Sequence, residues 1–311
     1  MTNSSLKDAL QLWNLSGSSP DLLAERENRV YAVSHGDQKY ALRLHRPGYR
    51  SLNELRSELA WMKYLSQQGL HVPTPIATAD GQLIPKVGDS HASLLTWLDG
   101  VPIGKGTSIT SGQPVEVARK VGAQMARLHM ITDQWQRPAD FERPKWRAEE
   151  IVGETPLWGR FWEHPDLRPD EIATLQAVRQ VAQDDCALLS QDIGLIHADL
   201  LTENLVVHAG QIGILDFDDC VIGYRAFELA TFLLRYLEQP DFNEIRAALL
   251  EGYSARAQIS QQALALALLL RALTYVGWIV PRLNEPGNKT RSTRMIARAL
   301  GLAQNYLEGR Q

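Results

Sequence analysis

The stretch that decides the fold runs from Leu195 to Asp218 and reads LIHADLLTENLVVHAGQIGILDFD. Two apolar runs flank a Gly-containing turn, which is the pattern of a β-hairpin. If the turn is centred on Gly210, Asn204 and Asp216 lie opposite each other at the open end of the hairpin, and a register error of one residue would leave them neighbours. Asp199 lies on the loop that leads into the same end. The local sequence therefore predicts that two Asp side chains and an Asn meet in one place.

These three side chains have the chemistry that phosphoryl transfer needs. Mg²⁺ prefers hard oxygen ligands and usually takes one or two carboxylates, which leaves room for phosphate oxygens and water. Asn204 and Asp216 suit that task. The transfer step also needs a carboxylate that orients the acceptor hydroxyl and takes its proton. Asp199 is the candidate for this base. Each residue alone would be an ordinary turn or capping residue, but the three together on one hairpin favour a functional site.

The same residues resemble a known family. His197–Asp199, Asn204 and Asp216–Asp218 resemble the catalytic and metal-binding segments of the aminoglycoside phosphotransferase and choline kinase superfamily. Their spacing also resembles the H-R-D-x-x-x-x-N and D-F-G pattern of protein kinases. The resemblance implies an α+β, bilobal protein-kinase-like fold with a small β-rich N-lobe and a larger, mainly helical C-lobe. It also implies ATP and Mg²⁺ as cofactors, Asp199 as catalytic base, and Asn204 with Asp216 as Mg²⁺ ligands.

The chain departs from this family at several positions near the base. The family commonly has His-Gly-Asp followed by a second His and a Pro-Gly pair, where this chain has Ala198 and Leu201–Glu203. Alanine in place of glycine predicts that the backbone at position 198 does not need a positive φ. The changes keep the acid and amide groups and are expected to alter contacts with the acceptor. Glu228, where the family usually has an Asp, and His197 are expected to brace the loop.

The first third of the chain is predicted to be rich in strands. Strands are expected at Arg29–Val33 and Lys39–Leu44 around a turn, followed by a helix at Glu54–Gln67, where apolar residues recur at helical spacing. Two further strands are expected at Gln82–Pro85 and Ala92–Leu98. This order of elements is typical of a β-rich nucleotide-binding lobe.

The rest of the chain is predicted to be mainly helical. Helices are expected at Val115–Met130, Asp170–Leu189, Arg225–Glu238, Phe242–Arg256, Gln261–Val280 and Arg291–Glu308. The change in character predicts a nucleotide-binding lobe at 1–97 and a catalytic and acceptor-binding lobe at 98–311.

Arg43 and Glu58 are the predicted phosphate-binding pair. Arg43 lies near the end of its strand, where the family carries a Lys that holds the α- and β-phosphates. Arginine binds phosphate bidentately but differs from lysine in shape. Glu58 lies on the apolar stripe of the following helix, where a carboxylate needs a partner. The resemblance implies that Glu58 pairs with Arg43, and Glu54, nearer the start of the helix, is the competing partner.

Two segments bear on the nucleotide and on the branch of the family. Thr96, Trp97 and Leu98 are the expected hinge, which offers backbone groups and apolar walls to adenine. Glu27–Tyr31 reads ENRVY and resembles the corresponding segment of the stress-response kinase and homoserine-kinase-like branch. The sequence contains neither a Walker A motif nor G-x-G-x-x-G.

The acceptor is predicted to be a small molecule with a hydroxyl group, such as an amino alcohol, an amino acid or an aminoglycoside-like compound. The span between Asp216 and Arg225 leaves little room for an activation loop that would bind a peptide. Asp218, Asp219 and Glu203 add negative charge around the expected metal, which a cationic acceptor would suit.

Two alternatives stay open at this point. The Glu27–Tyr31 resemblance suggests a protein Ser/Thr kinase of the stress-response type. Arg43, standing where the family has Lys, would permit a nucleotide-binding pseudokinase. The complete set of Asp199, Asn204 and Asp216 argues against the pseudokinase.

Composition narrows the class of protein. The chain has 311 residues, of which 44% are hydrophobic and 22% charged, with a formal net charge of −4. These values are typical of a soluble globular protein and give no reason to expect nucleic acid or an anionic membrane as partner. Two cysteines and no recognisable signal peptide favour the cytoplasm. The most apolar run, Ala263–Leu270, ends at Arg271 and falls short of the roughly 20 residues that span a bilayer, so a buried helix is expected.

Overall fold

The computed structural model describes residues 3–25 and 28–309. Its strands, numbered in chain order, are β1 Ser19–Glu25, β2 Asn28–His35, β3 Gln38–His45, β4 Pro75–Ile76, β5 Lys86–Val87, β6 Ser90–Thr96, β7 Val101–Pro102, β8 Gly104–Lys105, β9 Ser108–Ile109, β10 Lys145–Trp146, β11 Ile193–Ile196, β12 Leu205–His208, β13 Gln211–Ile214 and β14 Val221–Tyr224. Its helices are α1 Asn3–Leu12, α2 Leu52–Gln67, α3 Pro114–Asp133, α4 Ala148–Val152, α5 Pro169–Asp185, α6 Arg225–Leu233, α7 Phe242–Tyr253, α8 Gln261–Ile279 and α9 Asn288–Glu308. Strands dominate the first third and helices the rest, so the predicted α+β class is confirmed.

The chain forms two compact units, each of which is discontinuous in sequence. Unit 1 comprises Met1–Val101, Gln134–Arg143 and Leu205–Asp218, and unit 2 comprises Pro102–Asp133, Pro144–Asn204 and Asp219–Gln311. The lobes predicted at 1–97 and 98–311 stay a prediction. The segments Gln134–Arg143 and Leu205–Asp218 also belong to unit 1, so a single boundary along the sequence does not describe the two units.

Unit 1 is built on an antiparallel sheet with the strand order β1-β2-β3-β6-β4, in which β5 also pairs with β6. The predicted hairpin around residues 34–37 is confirmed, because β2 and β3 pair from Asn28↔His45 to His35↔Gln38. Of the segment that resembles the stress-response branch, Glu27 lies outside the described residues.

The strand predicted at Gln82–Pro85 is wrong. The backbone N–H of Thr78 donates to the carbonyl of Gln82 at 2.9 Å, and the Thr78 hydroxyl accepts from the N–H of Gln82, also at 2.9 Å. These bonds close a local loop at the residues that were expected to extend along the sheet. The strands that follow are β5 and β6, and β6 begins and ends two residues before the predicted Ala92–Leu98.

Helix α1 covers one face of this sheet and was not predicted. Leu6, Ala9, Leu10 and Trp13 follow helical spacing, so the signal was present in a short segment. The Trp13 indole N–H donates to the carbonyl of Ile76 at 2.9 Å. The core of unit 1 joins the helix to the sheet and contains Ala9, Leu10, Trp13, Leu15, Val33, Leu42, Leu44, Val87, Ala92 and Leu94.

The predicted hairpin after the loop that contains Asp199 is present as β12 and β13. The strands pair from Leu205↔Ile214 to His208↔Gln211, which shifts the register by one residue from a turn centred on Gly210. The N–H of Ile214 donates to the carbonyl of His71 at 3.0 Å. A Cβ at Gly213 would lie 2.4 Å from the His71 ring, so only glycine fits this close approach. These contacts fix the hairpin to unit 1.

Most of the predicted helices lie in unit 2. Those predicted at the places of α3, α5, α7, α8 and α9 are confirmed. Helix α6 ends at Leu233, short of the predicted Glu238, and the following turns bring the Tyr236 hydroxyl to 2.8 Å from the Thr202 hydroxyl. A small sheet with the order β10-β14-β11 was not predicted, because strands of two to four residues carry little periodicity. Strand β11 leads into the loop with Asp199, and β14 leads into α6.

Helix α8 is a core helix of unit 2. The stretch Gln261–Arg282 is long and apolar enough to cross a membrane, with a mean hydropathy of 2.0, and 72% of its apolar window is buried inside the protein. Core helices of soluble proteins pass the same test of length and composition. The buried helix predicted around Ala263–Leu270 is confirmed, and it continues through Arg271, which is itself 5% exposed.

Candidate functional site

The loop between β11 and β12 presents Asp199 and is braced by Glu228. The fully buried carboxylate of Glu228, in the first turn of α6, accepts hydrogen bonds from the backbone N–H groups of His197 and Ala198, each at 2.8 Å. The Nδ1 of His197 accepts from the backbone N–H of Asp199 at 3.3 Å. Glu228 and His197 therefore hold the backbone next to Asp199, as expected from the sequence.

A buried chain of hydrogen bonds, formed by His129 and Tyr253, supports Glu228. Burial by itself would raise the pKa of Glu228, but the hydrogen bond from His129 and the groups of the loop lower it, so the carboxylate is ionised. Burial lowers the pKa of His129, so this imidazole is neutral. Its Nε2 lies 3.2 Å from Glu228, and its Nδ1 lies 2.8 Å from the Tyr253 hydroxyl. A neutral ring that donates to Glu228 and accepts from Tyr253 satisfies both contacts.

The backbone at Ala198 is left-handed, with φ of 68°. The expectation that position 198 does not need a positive φ is therefore wrong. The backbone N–H groups of His197 and Ala198 are both held by Glu228, and this long-range contact overrides the local preference of alanine. Asp216 is also left-handed, with φ of 61°. Such residues cost about 1–3 kcal/mol each and cluster at functional sites.

Asp199 and Asn204 are in direct contact. The Nδ2 group of Asn204 donates to the backbone carbonyl of Asp199 at 2.8 Å and to its carboxylate Oδ2 at 3.0 Å. These two bonds orient the amide so that its oxygen faces away from Asp199. An amide oxygen is a ligand type that Mg²⁺ accepts, so the geometry of Asn204 fits a metal ligand.

Arg271 on α8 contacts Asp199, and this contact was not predicted from the sequence. Its Nη2 donates to Oδ1 of Asp199 at 3.3 Å and to the hydroxyl of Tyr275 at 2.9 Å. The two oxygens of Asp199 are thus engaged by Arg271 and Asn204 respectively. From the sequence Arg271 only ends an apolar run. A charge inside a helix that is otherwise apolar needs a buried partner, and this was the signal that could have identified it.

In unit 1, Arg43 of β3 and Glu58 of α2 form the predicted ion pair. The Nη1 of Arg43 lies 2.7 Å from Oε1 of Glu58, and the two side chains are 5% and 0% exposed. The competing residue, Glu54, instead closes a capping box with Ser51 at the start of α2. The pairing is therefore confirmed, and its role toward phosphate stays a prediction.

The Arg43 pair keeps unused polar atoms. Nη2 of Arg43, Oε2 of Glu58 and Oδ1 of Asp218 are buried and have no hydrogen-bond partner among the described residues. Burial alone lowers the pKa of Arg43, but the negative charges of Glu58, Asp218 and Asp216 outweigh it and raise the pKa. A buried polar atom without a partner costs about 1–3 kcal/mol. The unused donor of Arg43 fits a phosphate oxygen, and the unused carboxylate oxygens of Glu58 and Asp218 fit a cation. The residues of unit 1 are therefore compatible with a metal–nucleotide complex.

Asp216 and Asn204 belong to different units. Asp216 follows β13 by two residues within unit 1, and Asn204 precedes β12 by one residue within unit 2. The segment after β13 is held inside unit 1, because the Arg50 guanidinium donates to the backbone carbonyl of Asp218 at 3.1 Å and Trp61 packs edge-on against Phe217. The joint metal site predicted for Asn204 and Asp216 stays a prediction.

Two backbone N–H groups of the predicted hinge already donate hydrogen bonds within unit 1. The N–H of Thr96 donates to the carbonyl of Thr74 at 2.9 Å, and the N–H of Trp97 donates to the carbonyl of Lys39 at 3.3 Å. The Lys39 ammonium also lies 3.7 Å from the centre of the Trp97 ring. Contacts from this segment to adenine would therefore come from Leu98, from carbonyl groups or from side chains. The hinge stays a prediction.

His45 couples the stability of unit 1 to pH. Burial and the charge of Arg43 lower the pKa of His45 to about 3, from an ordinary value of 6.5. Between these two pH values the unfolded chain binds a proton on His45 and the folded chain does not. Because the folded-state pKa of His45 is depressed, its contribution to the free energy of unfolding is complete above pH 6.5. This contribution is lost progressively as the pH falls from 6.5 to about 3. The expected loss is about 1.4 kcal/mol per pH unit.

His45→Gln is expected to remove this part of the pH dependence. The free energy of unfolding would be measured by urea titration at several values between pH 4.5 and 6.5, with the exposed His208→Gln as control. The slope of stability against pH is expected to fall by about 1.4 kcal/mol per unit in the first variant only. An unchanged slope in His45→Gln would place the acid sensitivity elsewhere.

Comparison with known families and proteins covers most of the chain. A model of the phosphotransferase enzyme family matches residues 21–264. A homoserine kinase from Chelativorans sp. (strain BNC1) is 28% identical over 237 residues, which cover 73% of this chain and 68% of that protein.

Solved structures of similar proteins agree with this match. The structure of a microcompartment-associated aminopropanol kinase has a TM-score of 0.83 and 26% identity, covering 98% of this chain and 97% of that one. An amicoumacin kinase in complex with AMP-PNP, Ca²⁺ and Ami has a TM-score of 0.78 and 22% identity, covering 95% and 92%. At that identity the second likeness shows the fold alone. Together these comparisons confirm the predicted protein-kinase-like fold.

Proposed function

The chain belongs to the phosphotransferase enzyme family, and from that premise we propose that it transfers the γ-phosphate of ATP to a hydroxyl group of a small molecule. The observation that carries the proposal is the arrangement at Asp199. Its carboxylate is held by Asn204 and Arg271, on a loop whose backbone Glu228 fixes from inside unit 2. A carboxylate held in this way suits a base that must meet an acceptor hydroxyl in one orientation.

Asp199 would act as the catalytic base. As the acceptor oxygen bonds to the γ-phosphorus of ATP, the bond from that phosphorus to the bridging oxygen breaks and ADP leaves. The hydroxyl proton passes to the carboxylate of Asp199. The contacts to Arg271 and Asn204 keep both carboxylate oxygens in place during this step.

Arg43 would hold the phosphates of ATP. Its Nη2 is a buried donor with no partner among the described residues, and a guanidinium binds phosphate oxygens strongly. Glu58 fixes the position of the guanidinium through the 2.7 Å ion pair. We assign to Thr96, Trp97 and Leu98 the contacts with adenine that their place at the end of β6 and directly after it suggests.

Asn204 and Asp216 are the proposed ligands of Mg²⁺. When bound, the ion neutralises the charge of the phosphate oxygens. The orientation of the Asn204 amide supports this donor set. The Oδ1 of Asp218, two residues after Asp216, supports it as well, because it has no partner among the described residues. Oxygen donors of this kind suit Mg²⁺ better than a softer transition metal.

The proposed acceptors are amino alcohols, amino acids and aminoglycoside-like compounds. Two of the similar proteins are named a homoserine kinase and an aminopropanol kinase, and the acceptors in both names are small hydroxylated amines. We place the protein in the cytoplasm, since its two cysteines are free thiols, which suits a reducing compartment.

The proposal is tested by incubating the protein with γ-labelled ATP, Mg²⁺ and a panel of acceptors. The panel contains homoserine, 1-amino-2-propanol, choline, an aminoglycoside and casein. Label is expected on at least one small molecule. Label on casein alone would replace the proposal with a protein kinase, and ATP binding without any transfer would replace it with a pseudokinase.

A further inference from the structure

Unit 2 contains an arginine-lined pocket beside the loop of Asp199. Its volume is about 130 Å³, which gives room for a small charged group. Four arginines line it together with a threonine and a tyrosine, namely Arg235, Arg291, Arg294, Arg298, Thr107 and Tyr275. Its lining, within the described part of the chain, includes no Asp or Glu. We call it the arginine pocket.

Helix α9 supplies three of these arginines from one face. Arg291, Arg294 and Arg298 are spaced so that their side chains lie beside each other along the helix. Like charges at this spacing destabilise a helix by a few tenths of a kcal/mol per pair. Such an arrangement is therefore unfavourable for the helix alone, and an anion in the pocket would offset it.

The charge of these arginines is only partly balanced. Arg298 forms two hydrogen bonds to Glu238, at 3.0 and 2.8 Å, and Arg235 lies 3.9 Å from Glu203. Nε of Arg235 is buried without a hydrogen-bond partner among the residues described. Arg294 forms no hydrogen bond or ion pair within 3–25 and 28–309. The pocket thus keeps guanidinium donors for a ligand.

Two sets of contacts connect the pocket to the catalytic loop. Tyr275 lines the pocket, and its hydroxyl accepts from the same Nη2 of Arg271 that donates to Asp199. On the other side, the backbone of Gly106, which precedes Thr107, accepts from the Thr202 hydroxyl and donates to Glu203, both at 3.1 Å. Thr202 and Glu203 are among the positions where the chain departs from the family pattern.

From these contacts we propose that the arginine pocket binds an anionic group of the acceptor, a carboxylate or a phosphate. The inference rests on the proposed function, because it takes Asp199 as the base that meets the hydroxyl of the same molecule. Planar guanidinium groups match the geometry of carboxylate and phosphate oxygens. The simplest acceptor of this class is a hydroxy amino acid, whose ammonium group would suit the acidic residues predicted near the metal. An uncharged or purely cationic acceptor would leave Arg294 without a partner among the described residues.

The test compares acceptors that differ by the anionic group alone. Homoserine is paired with 3-amino-1-propanol, threonine with 1-amino-2-propanol, and glycerol 3-phosphate with glycerol. For at least one pair, kcat/KM is expected to be about tenfold or more higher for the anionic member. Arg294→Gln is expected to remove most of that preference through KM, while Lys289→Gln on the same helix keeps it. A preference for glycerol 3-phosphate over glycerol, without a preference in the two amino acid pairs, would identify the anionic group as a phosphate.

The outcomes separate this inference from the proposed function. Equal turnover of both members, unaffected by Arg294→Gln, would keep the kinase and overturn the anionic acceptor. If no acceptor is phosphorylated, the kinase proposal fails, and calorimetric titration with inorganic phosphate and with acetate decides the pocket alone. Binding that Arg294→Gln weakens about tenfold would support the anion site, and the absence of binding would overturn it.

Discussion

Asp199→Asn is expected to lower kcat for phosphoryl transfer by about 10²–10⁴-fold, the range that general bases contribute. Asparagine has the shape of aspartate and can keep one oxygen toward Asn204 or Arg271, so the loop should retain its conformation. It cannot take the proton of the acceptor hydroxyl. The loss should therefore fall on kcat, whereas the KM for ATP and the thermal unfolding midpoint should stay close to those of the parent protein.

The measurement is the initial rate with the best acceptor of the panel, together with a thermal melt of the same preparation. Asp37→Asn is the matched control, because it makes the same chemical change at an exposed turn between β2 and β3. A parental rate in Asp199→Asn with every acceptor would show that this residue is not the base. A lower melting temperature in the same variant would show that the contacts of the Asp199 carboxylate with Asn204 and Arg271 also stabilise the fold.

Contacts that are short in sequence could be predicted, and those that depend on distant segments could not. Asn204 lies five residues after Asp199, so the loop alone brings them together. The pair of Arg43 and Glu58 was implied by the family resemblance, and the place of Glu58 on the apolar stripe of a helix supported it. The contact between Arg271 and Asp199 spans 72 residues. The apolar helix indicates that Arg271 needs a buried partner, but it does not indicate Asp199, because this contact exists only once α8 packs into unit 2.

The conformation of Ala198 shows how tertiary contacts override a local preference. An alanine predicts φ below zero because its Cβ crowds the backbone in the left-handed region. The carboxylate of Glu228 nevertheless holds two consecutive N–H groups, at a separation of 30 and 31 residues, and two charge-assisted hydrogen bonds outweigh a cost of about 1–3 kcal/mol. The family resemblance predicted that Glu228 braces the loop, but its effect on the backbone could be seen only in the structure.

Arg43→Met is expected to destabilise the protein by about 3–5 kcal/mol and to abolish turnover of ATP. Removing the guanidinium leaves Glu58 buried and without its partner, and breaking a buried ion pair from one side has this cost. The same change removes the donor proposed for the phosphates. The two effects have different origins, because the first depends on Glu58 and the second on the nucleotide.

A double variant separates these origins. In Arg43→Met/Glu58→Leu both charges of the pair are absent, so most of the lost stability is expected to return, since apolar residues often replace a buried ion pair at little cost. ATP turnover is not expected to return. Arg43→Lys, which restores the residue that the family carries, keeps the positive charge and should retain measurable turnover with a raised KM for ATP. Unfolding free energies from urea titration and the KM for ATP are the two readouts. If the double variant regained both stability and turnover, Arg43 would have only a structural role, and the phosphates would have to be held by another cation.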